Sequence, residues 1–158
     1  MTQAEAEQRV VELWASIDDY SEDEFRARMD ELAADLPADV AAFERASAFD
    51  STGHSDKAVP LYREALEHGL EDPRRRQAVI QLASSLRNVG EAEESVRLLE
   101  AERARTSDDL DDAVTTFLAL ALVDTGRERE AASILLTALA KHLPRYQRSA
   151  ANYARLLL

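Results

Sequence analysis

The stretch FDSTGHSDKAV, residues 49–59, gathers side chains suited to proton transfer: His54 stands beside Ser55 and Asp56, next to a single glycine, Gly53. A histidine can accept a proton from a serine hydroxyl when a carboxylate orients its ring, so the residue types are those of a nucleophilic site. Neighbours in sequence do not form such a site alone, and no second motif converges on this one. A structural role accounts for each residue: Gly53 turns the chain, Ser55 caps the next helix, and Asp56 suits that helix's N-terminus. A phosphate cradle would need several glycines after a strand, and one glycine is present here. His68 follows Glu64 at a spacing that places both on one helix face, whereas a di-iron carboxylate centre needs paired Glu-x-x-His motifs with further glutamates. The run DDLDD, residues 108–112, has the charge for calcium but neither the spaced ligands nor the turn glycine of a calcium loop, and it suits the start of a helix. His142 falls near a helix C-terminus, where a cation is mildly favoured. No catalytic residue, no metal and no cofactor is therefore expected, and the chain does not read as an enzyme.

The elements that would position these residues follow from composition and pattern. The 158 residues are 46% hydrophobic, enough for one domain with a packed core. No apolar run approaches the roughly 20 residues that span a bilayer, and the opening MTQAEAEQ lacks a basic segment followed by an apolar one. Cysteine is absent, which removes thiol chemistry and suits a cytoplasmic location. The preference for arginine over lysine and the richness in alanine match a high-GC bacterial coding bias. The net charge of −12 repels polyanions, so nucleic acid is not expected as a partner, and without a bilayer-spanning run neither is a membrane. The charge is uneven: residues 1–37 hold eleven acids against three arginines, residues 38–107 thirteen acids against ten bases, and residues 108–158 seven against six.

Apolar residues recur three and four apart in VVELW, LYREAL, VIQLASSL, FLALALV and ASILLTAL, and strict alternation is absent, so the fold should be all-α. Three blocks align on their glycines: RASAFDSTGHSDKAVPLYREAL, QLASSLRNVGEAEESVRLLEAE and FLALALVDTGREREAASILLTAL. Gly53, Gly90 and Gly126 lie 37 and 36 residues apart. Ala46, Ala83 and Ala119 precede them by seven residues, Phe49, Leu86 and Leu122 by four, and Tyr62, Leu99 and Leu135 follow by nine. The small residue permits close helix approach, the glycine accepts a positive φ at the corner, and the large residues fill the space between hairpins. A lone hairpin leaves one apolar face uncovered, so such hairpins stack.

This pattern resembles the tetratricopeptide repeat family, most closely in Ala46, Gly53, Ala58, Tyr62 and Ala65 and again in Ala119, Gly126, Ala131, Leu135, Ala138, Leu139 and Pro144. The middle block departs from it at Ser95 and Glu102, and Ala42, Val79 and Thr115 stand where the family has a tryptophan near the start of the first helix. The resemblance covers residues 38–144 and implies a right-handed α-α superhelix, a solenoid of antiparallel helical hairpins. The expected organisation is a divergent N-terminal hairpin over 1–37, repeats over 38–72, 73–107 and 108–144, and a C-terminal capping helix over 145–158, all in one domain.

In the N-terminal hairpin, helices are expected near 3–17 and 22–35, with Ser21 and Glu24 as a capping box and Trp14, Ala15 and Ala27 in the core. Tyr153, Ala154 and Leu157 of the last helix should cover the final hairpin. Pro60 falls a turn inside a helix, where a slight distortion is expected. Arg74, Arg75 and Arg76 stand where a helix dipole disfavours cations; they read as solvated charge, or as a docking point for an acidic surface such as the N-terminal hairpin. The resemblance also implies a concave groove lined by the first helix of each repeat. Its expected lining is Phe43, Ile80, Gln81, Ser84, Arg87, Asn88, Phe117, Leu120, Asn152 and Arg155. The lysine and asparagine clamp with which some members hold a C-terminal carboxylate is not present. The functional expectation is a non-catalytic module that presents this groove to a protein or peptide. The alternatives are that the groove meets the chain's own N-terminal hairpin, or that the chain forms a homodimer.

Overall fold

A computed structural model describes residues 1–158 as an all-helical protein without strands. Its helices are α1 (Gln3–Ala15), α2 (Glu22–Ala33), α3 (Ala38–Ser51), α4 (Ser55–Glu67), α5 (Arg74–Asn88), α6 (Ala92–Arg105), α7 (Asp111–Asp124), α8 (Glu128–Ala140) and α9 (Gln147–Arg155), with a 3-10 turn over Ile17–Asp19. No helix is long and apolar enough to cross a membrane. The chain forms two compact units, residues 1–85 and 86–158, divided within α5.

The three aligned corners share one hydrogen-bonding scheme. The N–H after each glycine donates back to the large apolar residue four before it: His54 to Phe49 at 2.9 Å, Glu91 to Leu86 at 2.8 Å and Arg127 to Leu122 at 2.8 Å. This wrap closes the end of a helix and requires a left-handed residue, which Gly53, Gly90 and Gly126 supply at φ of 78°, 90° and 76°. The repeat spacing in the sequence therefore marks the same physical device three times.

Residues 1–85 begin with two capping boxes, Thr2 with Glu5 and Ser21 with Glu24. The second was expected from the sequence. Val10, Leu13, Phe25, Met29, Leu32 and Ala48 form the core between α1, α2 and α3, with Trp14 packed edge-on to Phe25 at 4.9 Å between ring centroids. Ala15 and Ala27, expected in this core, are exposed. They lie on the outer sides of their helices, away from the stripes that α1 and α2 bury. In the α3–α4 hairpin, Ala46, Ala58, Tyr62 and Ala65 are completely buried, as the alignment of small and large residues requires. Helix α4 continues through Pro60 without a break. It starts at Ser55 with His54 as its N-cap, and the His54 side chain makes no capping hydrogen bond. Ser55 is thus a first-turn residue and not the cap expected from the sequence.

Residues 86–158 pack α6 on α7, α7 on α8, and α8 on α9. Leu99, Val114, Leu118, Ala119, Leu122 and Ala131 build their interior. The acids of DDLDD order the entry to α7. Asp108 accepts from the Leu110 N–H at 2.8 Å, and Asp111 accepts from the Asp108 N–H at 3.1 Å. His142 lies 2.9 Å from Asp112, joining the end of α8 to the start of α7. Of the residues expected to cover the last hairpin, Ala154 is buried and Leu157 half-buried, but Tyr153 points outward at 70% exposure. Tyr153 stands about 100° round the helix from the buried Ala154, on the side turned to solvent.

Replacing Leu99, which is fully buried, by alanine should lower the unfolding free energy by about 2–5 kcal/mol in urea denaturation. Gly90→Ala should cost about 1–2 kcal/mol, because an L-residue must then adopt the left-handed corner. Equal stability of Gly90→Ala and the wild type would contradict the corner assignment.

Candidate functional site

The first helices of the hairpins, α3, α5 and α7, carry equivalent positions that the sequence singles out. In residues 1–85 these positions are covered. Phe43 is 6% exposed and lies 6.3 Å from the Tyr62 ring. Glu44 is 6% exposed and its Oε2 accepts a hydrogen bond from the Trp14 indole Nε1 at 2.9 Å. Arg74 stands between two carboxylates, 3.9 Å from Glu44 and 3.8 Å from Glu7 on α1. The acidic N-terminal hairpin thus contacts both α3 and the start of α5 through polar groups as well as through its apolar core. Burial pushes the Glu44 carboxyl above its ordinary range; the Trp14 hydrogen bond and the Arg74 charge oppose this, and the Glu7 charge adds to it.

A second polar cluster lies two turns along α3. Asp50 accepts from the Ser85 hydroxyl at 3.0 Å and from the Tyr62 hydroxyl at 3.2 Å, so one carboxylate ties α3 to α4 and α5. Burial raises Asp50, against the hydrogen bonds from Ser85 and Tyr62. Burial likewise holds the Tyr62 phenol far above its usual range. These groups are acceptors and donors to one another. Their arrangement bonds α3 to α4 and α5.

The other chemically suggestive residues are also absorbed into structure. His54 places Nδ1 2.6 Å from the Thr52 carbonyl, and its ring packs edge-on to Phe49. Two cations stand over the Phe49 ring, Arg26 at 5.8 Å and Lys57 at 5.6 Å from its centre. Glu64 and His68 are both exposed, and no group of three or more histidine or acidic side chains converges as a metal-binding cluster would. Arg76 departs from the expected solvated charge: it is 1% exposed, among the largest buried side chains. Periodicity could have found it, because Arg76 falls four residues before Ile80 on the buried side of α5.

The expected groove residues divide sharply by exposure. Phe43 and Ile80 are each 6% exposed and pack as core residues of the chain itself, while Gln81 and Ser84 are half-buried. In residues 86–158, Arg87 is held by Asp124 at 2.5 Å, and Asn88 is exposed. Phe117 is half-buried and Leu120 is 40% exposed. Asn152 and Arg155 are exposed on α9 and hydrogen-bonded to each other. Comparison at equivalent positions reveals an inversion. Glu44 and Ser47 of α3 are buried at 6% and 4%, whereas Phe117 and Leu120 of α7 reach solvent, joined by Val123 at 48% exposure. Polar residues are enclosed on one helix and apolar residues are open on the other.

The sign of the pH effect at Glu44 and Asp50 follows from their raised folded-state pKa values. The folded state holds these protons to higher pH than the unfolded chain, so their contribution to stability falls as pH rises from the ordinary carboxylate range, about 4, through the raised values. Urea unfolding across about pH 4–7 should show the wild type losing stability relative to the double variant Glu44→Gln, Asp50→Asn as pH increases. A stability difference independent of pH would contradict the burial of these carboxyls.

A family model described as Tetratrico peptide repeat matches residues 39–157. No curated protein matches the chain. No solved structure matches it either. The matched region takes in the three glycine corners together with α9, and such repeats generally mediate protein–protein interaction in a solenoid of helical hairpins. On the match across most of its length and on its all-helical fold, the chain belongs to the tetratricopeptide repeat family.

Proposed function

We propose that the protein is a non-catalytic, cytoplasmic interaction module whose partner-binding surface is the open face of α7. The observation that carries this reading is the inversion between equivalent positions: Leu120 reaches solvent where α3 buries Ser47, Phe117 is half-buried where α3 buries Glu44, and Val123 is exposed where Asp50 is half-buried. A helix with a buried apolar side gains nothing for its own fold from further apolar residues on the opposite side, so these side chains are best used against another molecule. Arg87, with Asn88 and the α9 pair Asn152 and Arg155, supplies the polar rim that orients an extended or helical segment. Phe43, Ile80, Gln81 and Ser84 belong to the expected lining of the first-helix face, and the N-terminal hairpin restricts the part nearest α3. The partner is a protein or peptide. The chain's net charge of −12 disfavours nucleic acid.

Two surface substitutions, Leu120→Asp and Val123→Asp, test the reading without disturbing the interior. Affinity capture from native cells with mass spectrometry should recover a defined protein with the wild type and lose it, by at least about tenfold, with the double variant. Circular dichroism and the unfolding midpoint should remain those of the wild type. Recovery of the same protein in equal amount by both would contradict the assignment of α7.

A further inference from the structure

The two ends of the chain carry opposite charge beside matching apolar stripes, and neither stripe serves the α7 face. Residues 141–158 contain Lys141, Arg145, Arg148 and Arg155 and no acid. Helix α9 turns Ala154 inward, so Tyr153 and Leu156 stand on its outer side at 70% and 75% exposure. The adjoining helix α8 leaves Leu135 and Leu139 at 40% and 53% exposure. Leu135 is informative because its counterparts Tyr62 and Leu99 in the other repeats are fully buried. At the opposite end, α1 buries Ala6, Val10 and Leu13 and leaves Ala4, Val11 and Ala15 on its outer side, bordered by Glu5 and Glu12. Val11 is 64% exposed. The segment around it holds eleven acids against three arginines, the densest negative charge in the chain.

An exposed apolar stripe in a basic segment selects a partner stripe in an acidic one, since like-charged segments would repel on approach. The outer side of α1 has that chemistry, at the helical spacing that presents Ala4, Val11 and Ala15 along one line. We propose that the outer face of α9, with the exposed leucines of α8, docks against the outer face of α1 of a second copy. Each copy offers one of each surface, so the contact joins unlike faces and takes the chain to a dimer or beyond. No α7 residue takes part; Arg155 is shared with the proposed α7 rim, and the substitutions that test this contact leave it unchanged.

The test uses the full chain in sedimentation velocity, with two variants altered only at exposed positions. One blocks the tail, Tyr153→Glu with Leu156→Glu, and the other blocks the head, Val11→Arg with Glu12→Arg. The wild-type mass should rise with concentration to that of a dimer or beyond, and this rise should weaken as salt increases from about 0.05 to 0.5 M. Each variant alone should remain monomeric, and an equimolar mixture should stop at a dimer. A wild type that is monomeric at every concentration overturns the proposal. So does a mixture that fails to associate, or a head-blocked variant that assembles as the wild type does, which would mean a tail-to-tail contact instead. Unchanged circular dichroism of both variants establishes that any loss of association is not a loss of fold.

Discussion

The hydrogen bond from Trp14 to Glu44 fixes how the first part of this protein is used. A carboxylate enclosed to this degree loses hydration and needs donors in exchange, or it takes up a proton. Trp14 supplies one donor and Arg74 supplies compensating charge at 3.9 Å. The first of these brings the end of α1 against α3. The apolar cluster of Val10, Leu13, Phe25 and Met29 binds the hairpin non-directionally, whereas the Glu44 contacts set its position. A surface that would otherwise face outward in a helical repeat is thereby committed to the chain's own N-terminal segment.

The rest of the arrangement follows from where that cover applies. Around α3 the equivalent positions are polar because they bond within the protein: Glu44 to Trp14, and Asp50 to Tyr62 and Ser85. Around α7 the positions are Phe117, Leu120 and Val123, which have no such polar task and remain partly or largely exposed. One repeat plan therefore yields a closed face and an open one. The raised carboxyl pKa values of Glu44 and Asp50 have a structural cause, burial.

Much of the fold was legible because its signals are local. A glycine at each corner, an alanine seven residues earlier and a large residue four earlier correspond to a shared wrap of hydrogen bonds and positive φ. Ser21 followed by Glu24 formed the capping box that its spacing demands. The errors concern choices made across the chain. Trp14 and Glu44 are thirty residues apart, and nothing local pairs them. Ala15 and Ala27 read as core because they are small and apolar, yet the direction of each helix was set by larger neighbours, Leu13 and Phe25. Arg76 read as surface because it is charged, although its position on α5 places it inside. Composition at the site was likewise visible, but which of Phe43, Ile80, Phe117 and Leu120 would stay open depended on what covers them.

The most direct measurement is site-specific photo-crosslinking in the native cell, with a photoreactive amino acid placed either at Leu120 or at Ser47, which are 40% and 4% exposed. The account predicts a discrete covalent adduct with another protein from position 120 and none from position 47, with the wild-type circular dichroism spectrum retained. Adducts of equal yield from both positions, or an adduct from position 47 alone, would contradict a closed α3 face and an open α7 face.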